Sequence, residues 1–134
     1  MVKVKIYLHI VLNDQGEGQI DSLGLDRGMN FLYNIFNQIN FIFEIADRDT
    51  IRSDYFYNDG FIQDRDSLIF YNYHEDGIDI YVGREDVEPI GYSWFPITAF
   101  AVRGNQDGLA ISEYYVLAHE MGHLMGLKHT FTNN

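Results

Sequence analysis

The chain opens with Val2-Lys3-Val4-Lys5-Ile6-Tyr7-Leu8-His9-Ile10-Val11-Leu12. Two lysines ahead of apolar residues give it the outline of a secretion signal, but its internal pattern differs. Val2, Val4, Ile6, Leu8, Ile10 and Leu12 recur with a period of two, the period at which a pleated strand sends side chains to one face. No small-residue cleavage site follows. The stretch therefore reads as a strand, and the chain as a domain with a sheet at its centre. Lys3, Lys5, Tyr7 and His9 fall on the other face, where His9 is expected as a surface or half-buried residue without a ligand role.

Outward from this strand the punctuation is regular. Asn13-Asp14-Gln15-Gly16-Glu17-Gly18 is turn-rich. Ser22 suits a helix cap, and Leu25, Met29, Leu32, Phe36 and Ile39 share one helical face, a stripe that suits core packing. Phe41 to Ile45 (FIFEI) reads as the second strand. A polar stretch from Asp47 to about Asp66 follows, with Asn58-Asp59-Gly60 as a turn. Leu68 to Tyr73 fits a strand or the end of a helix, and His74-Glu75-Asp76-Gly77 a solvated turn. Ile78 to Val82 (IDIYV) is a strand; Ile90 to Phe95 is a short one stopped by Pro96, which suits a sheet edge. Phe100–Val102 and Leu109–Ile111 are further short strands, and Ser112 caps a last helix running to about Met125. Strand, helix, strands, helix implies an α/β or α+β layer fold.

The 134 residues suffice for one domain, 1–134, with a real core. There is no cysteine, hence neither disulfides nor thiolate metal sites. Nine basic against twenty acidic side chains give a net charge of −11, which argues against nucleic acid or an anionic membrane as partner. No apolar run has transmembrane length. Asp47, Asp49, Asp54, Asp59, Asp64 and Asp66 offer the hard oxygens that suit calcium, yet lack EF-hand spacing, so Ca2+ is the lesser expectation.

The chemistry concentrates in His119-Glu120-Met121-Gly122-His123-Leu124-Met125-Gly126-Leu127-Lys128-His129. His119 and His123, four apart on a helix, can reach one ion together, and neutral imidazoles suit zinc. Glu120 sits about 100° round the helix from His119, a poor third ligand but well placed to take a proton from water at the metal. Gly126 can end the helix in a left-handed turn, after which His129 returns as third ligand. Three protein ligands leave an open position, the mark of a catalytic zinc, one per chain. Five fixed positions of this kind should arise by chance on the order of once in 10⁵ chains of this length.

This spacing is the metzincin signature H-E-x-x-H-x-x-G-x-x-H. The chain resembles the pappalysin family of metzincins. Gly126-Leu127-Lys128-His129-Thr130-Phe131 is similar to that family's G-L-x-H-T-F continuation, Gly91-Tyr92-Ser93-Trp94-Phe95-Pro96 to its G-Y-x-x-F-P stretch, and Asp107-Gly108-Leu109 to its D-G-hydrophobic approach. The resemblance implies a metzincin-like upper subdomain: a twisted, mostly parallel sheet with an antiparallel edge strand, a backing helix and an active-site helix. It implies a zinc metalloendopeptidase with His119, His123 and His129 as ligands and Glu120 as general base. The edge strand, Gly91, Tyr92, Ser93 and Trp94, would pair with a peptide or protein substrate. A secreted or extracellular setting would follow from the family. Leu124-Met125 stand where the family tends to carry Trp-Leu, and the lower subdomain with its Met-turn has no counterpart in 1–134. A piece of a longer enzyme, a minimal peptidase and an inactive zinc-binding or peptide-binding module all remain open. Residues 1–134 are expected to bind zinc and to cleave slowly at best.

Overall fold

β1 (Val2–Leu12) is the strand about which the rest is arranged, in a computed structural model that describes residues 2–20, 22–84, 86, 91–94, 99–102 and 116–124, with 91–94, 99–102, 116, 117, 123 and 124 described by their backbone. It pairs in parallel with β2 (Phe41–Arg52) on one side and β3 (Ile78–Val82) on the other. Beyond β3 lie β4 (Gly91–Trp94) and β5 (Ala99–Val102); β5 runs parallel to β3, and β4 antiparallel to β5. Among the described residues the order β2-β1-β3-β5-β4 leaves β2 and β4 as the edges of a mixed α/β structure.

One face of the sheet follows the period-two stripe. Ile6, Leu8 and Ile10 of β1 and Ile78, Ile80 and Val82 of β3 are buried together, covered by Leu25, Met29, Leu32 and Phe36 of α1 (Ser22–Asn37). The same cluster takes in Met121 of a further helix, the α4 of this fold (Val116–Leu124). Ile39, expected on the α1 stripe, is instead 60% exposed, because the helix ends at Asn37 and Asn40 turns the chain at φ 65°, the left-handed conformation Asn tolerates at a helix end.

The other face is covered as well. Val11, Ile51 and Tyr81 pack with Phe56, Phe61, Leu68 and Ile69, supplied by a π-helical turn (Phe56–Gly60), α2 (Phe61–Gln63) and α3 (Arg65–Leu68). Asn58-Asp59-Gly60 is therefore part of a helical turn rather than a loop turn, and Leu68 ends a helix. β1 is buried on both faces from Ile6 to Val11, as central strands of parallel sheets are.

β2 runs seven residues further than the FIFEI stretch, to Arg52, and it changes face on the way. Its register passes from Ile6↔Ile45 to Tyr7↔Asp47, which leaves Ala46 as an extra, bulged residue. Before the bulge Phe43 joins the α1 side; after it Ile51 joins the opposite side, although both are odd-numbered. A single inserted residue re-aims every later side chain. Here it sets Asp47 and Asp49 opposite Tyr7 and His9.

Candidate functional site

α4 carries His119, Glu120 and His123 within Val116–Leu124, so the two histidines stand one turn apart on one helical face. Met121 holds the helix down, with no exposed surface, in the core beneath α1. α4 also packs against β4 and β5. Glu120 is 6% exposed and His119 half-buried, so the carboxylate lies on the protein side of the helix. The β4 backbone, Gly91 to Trp94, forms the sheet edge beside this helix. His129, Gly126, Ser112, Asp107 to Ile111 and Phe95-Pro96 lie outside the described residues.

The structure also assembles a group on the opposite face of the sheet. His9 is 1% exposed, which corrects the surface or half-buried position expected for it. Its ring stacks on Tyr81, with His74 nearby, and lies between Asp49 and Asp79, next to a second core built by the π-helical turn, α2 and α3. His74, expected in a solvated turn, is only partly exposed and stacks on Tyr7 with ring centroids 3.6 Å apart. Both rings converge on one carboxylate oxygen: His9 Nε2 is 2.7 Å and His74 Nδ1 2.9 Å from Asp79 Oδ1. The backbone N–H of His74 donates to the other oxygen, Oδ2, at 2.9 Å. On its far side His9 Nδ1 is 2.6 Å from Asp49 Oδ1. Asn72 Nδ2 donates to Asp49 Oδ2 at 2.8 Å.

Ionised carboxylates only accept, so a His9 ring held between two of them is placed to donate from both nitrogens, which favours its cationic form. Burial alone would push its pKa down; the hydrogen bonds to Asp79 and Asp49 outweigh burial, and the net shift is upward. His9, His74 and Asp79 each offer a ligand atom, and these atoms lie within 4.8 Å of one another, so the group could hold a metal ion. Asp79, a fully buried carboxylate, went unnoticed in the sequence. Its signal is an acid in mid-strand between Ile78 and Ile80, on the alternate face from both.

The acidic residues weighed for calcium are spread over several elements. Asp49 serves His9, Asp54 and Asp14 exchange backbone N–H bonds at 2.9 and 3.0 Å, and Asp64 accepts from the Tyr55 hydroxyl at 3.0 Å. Asp47 accepts from the backbone N–H of Arg48. Among the described residues no helix is long and apolar enough to cross a membrane.

No family model and no curated protein matches the chain. Solved structures do match. One, described as "Structure of a chaperone-substrate complex", superposes with a TM-score of 0.55 at 17% sequence identity, over 98% of this chain and 25% of that chain. This chain thus corresponds to a quarter of the length of that protein, and at such identity the likeness is one of fold.

Proposed function

We propose that the chain is the zinc-binding half of a metallopeptidase site, hydrolysing peptide bonds in an extended substrate, with a fold of the metzincin upper-subdomain type. The observation that carries this reading is the setting of α4. His119 and His123 share a face of a helix pinned to the core by Met121, a nearly buried carboxylate, Glu120, stands between them in sequence, and an antiparallel edge strand runs alongside. A histidine pair on a merely solvated helix would need neither the buried acid nor the neighbouring edge.

The donor set fits zinc: two imidazoles one helical turn apart, with His129 as the third nitrogen on the sequence pattern. When bound, zinc supplies Lewis-acid polarisation of a peptide carbonyl and a lowered pKa for water. The chain's own residues do the rest. Glu120, held off from solvent, accepts the proton of the attacking water and passes it to the departing amine. The backbone of Gly91–Trp94, at the end of the sheet, pairs with the substrate as an added strand and aligns its carbonyl over the site.

The test compares Glu120→Gln with His119→Ala and His123→Ala, following zinc content and hydrolysis of a general protein substrate together. Glu120→Gln should keep zinc and lose about 10²–10⁴ in rate, the usual worth of a proton-transfer group. The histidine variants should lose the α4 equivalent of zinc together with the hydrolysis. Zinc lost in step with activity in Glu120→Gln would make Glu120 a ligand or support instead. Zinc retained with no hydrolysis by the unaltered chain would favour the inactive binding module.

A further inference from the structure

The group on the other face of the sheet has more acid than its hydrogen bonds require. Asp47 and Asp49 of β2, Asp76 of the turn and Asp79 of β3 surround Tyr7 and His9, and Lys5, itself exposed, pairs with Asp76 at 3.4 Å. A fully buried carboxylate such as Asp79 is costly without a compensating positive charge. His9 lies against two of these acids at once, Asp79 and Asp49.

The bonding pattern is that of a ligand set. Asp79 Oδ2 is engaged by the His74 backbone, which leaves Oδ1 as the atom on which His9 Nε2 and His74 Nδ1 converge. The remaining nitrogen of His9 meets Asp49, and Asn72 fixes Asp49 in turn. An outer carboxylate that orients a ligating imidazole through its second nitrogen, and is itself hydrogen-bonded, is the usual support of a metal-bound histidine. The Ala46 bulge is what brings Asp49 opposite His9. The rings are locked by stacking: His74 on Tyr7 at 3.6 Å and His9 on Tyr81 at 4.6 Å. Tyr7 is held by its hydroxyl, which donates to Asp76 at 2.8 Å.

We propose that His9 Nε2, His74 Nδ1 and Asp79 Oδ1 bind a second divalent cation, separate from the α4 histidines, that staples β1, β3 and the turn preceding β3. Two imidazoles and one carboxylate select a borderline transition ion such as Zn2+ over Ca2+ or Mg2+, which prefer all-oxygen sets. Ligand atoms about 3.3 Å apart suit tetrahedral zinc. The present separations of 2.7 and 2.9 Å from Asp79 Oδ1 need only a small opening, which a slide of the partly exposed His74 along the plane of its stack on Tyr7 would supply. Burial under two tyrosines and a second core suits a role in holding the sheet together. The site is independent of the proposed peptidase chemistry, because His9 and Asp79 face away from α1 and α4.

The experiment titrates Zn2+, with Co2+ as a spectroscopic substitute, into the full chain carrying His119→Ala and His123→Ala. One equivalent should still bind, and added His74→Ala should weaken it at least tenfold. Asp49→Asn should keep the stoichiometry and weaken binding about 10–100-fold, as loss of an outer partner does. Because buried variants can fail to fold, imidazole ¹⁵N spectra of the chain with an intact His9 cluster provide the second arm. Zn2+ should shift His9 Nε2 and His74 Nδ1 and leave His9 Nδ1 protonated. No stoichiometric uptake by the His119→Ala/His123→Ala chain, with His9 retaining protons on both nitrogens at saturating Zn2+, would overturn the proposal and leave a hydrogen-bonded Asp–His–Asp bridge. Failure of the α4 site would appear separately, as loss of the other equivalent from the unaltered chain.

Discussion

Met121→Ala tests whether α4 is anchored as described, and its cost can be set from the structure. Met121 has no exposed surface and joins Leu32 and Ile80, also fully buried, in the core between α1 and the sheet. Truncating such a side chain typically costs about 2–5 kcal/mol, the transfer term plus the cavity left behind. Neighbours on three different elements cannot all collapse into the gap, so a value of about 3 kcal/mol is expected. Unfolding entropy of about 2.1 cal/mol/K per residue over 134 residues gives about 0.28 kcal/mol/K. The Tm should therefore fall by about 11 °C, within a window of about 7–18 °C. Ile39→Ala is the control: 60% exposed, it should stay within about 0.5 kcal/mol, or about 2 °C. The assay is thermal unfolding followed by circular dichroism, in chelator so that metal binding does not add to stability. A Met121→Ala shift below about 3 °C, or one equal to that of Ile39→Ala, would mean that α4 does not dock on this core, and the argument for the α4 site would lose its frame.

Further outcomes follow from other contacts. Tyr81→Phe should cost about 1–3 kcal/mol, because the buried hydroxyl donates to the carbonyls of Ile69 and Tyr71 at 3.2 and 2.8 Å; denaturant unfolding would measure it. Gly77→Ala should destabilise by about 1–3 kcal/mol, since its Cβ would lie 2.6 Å from the backbone oxygen of Lys5; a neutral result would show that the turn can yield. In chelator, the stability that His9 contributes should be fully present below its unfolded pKa of about 6.5 and be lost as pH rises through the raised folded value. Among the described residues Asp49 of β2, Asp79 and Tyr81 of β3 and His74 of the turn are the ionisable groups facing it, and a Tm profile that rises with pH over this window would contradict the sign. A peptide-like inhibitor should protect the amides of Gly91–Trp94 in hydrogen exchange; protection confined to other strands would remove β4 as the substrate edge.

The sequence by itself determined what rests on local periodicity. The alternation of Val4, Ile6, Leu8 and Ile10 fixes β1 and its helix-covered face, because a strand's side chains alternate whatever surrounds it. Leu25, Met29, Leu32 and Phe36 fix the buried face of α1, and the spacing of His119 and His123 fixes their common face on α4, for the same reason at helical period. Only the tertiary structure decided what the other face of β1 meets. Polar-tipped residues on its second face keep β1 alternating, so Tyr7 and His9 read as surface until His74 stacks on Tyr7, and Tyr81, Asp49 and Asp79 surround His9. The Ala46 bulge leaves no mark in the residue pattern, yet it turns Asp49 toward His9. Asp49 and Asp79 lie 40 and 70 positions from His9, and His74 lies 5 before Asp79; only pairing of β1 with both neighbours brings them within hydrogen-bonding distance. Local pattern reports which way a side chain points along its own element; long-range strand pairing decides which other charges it finds there.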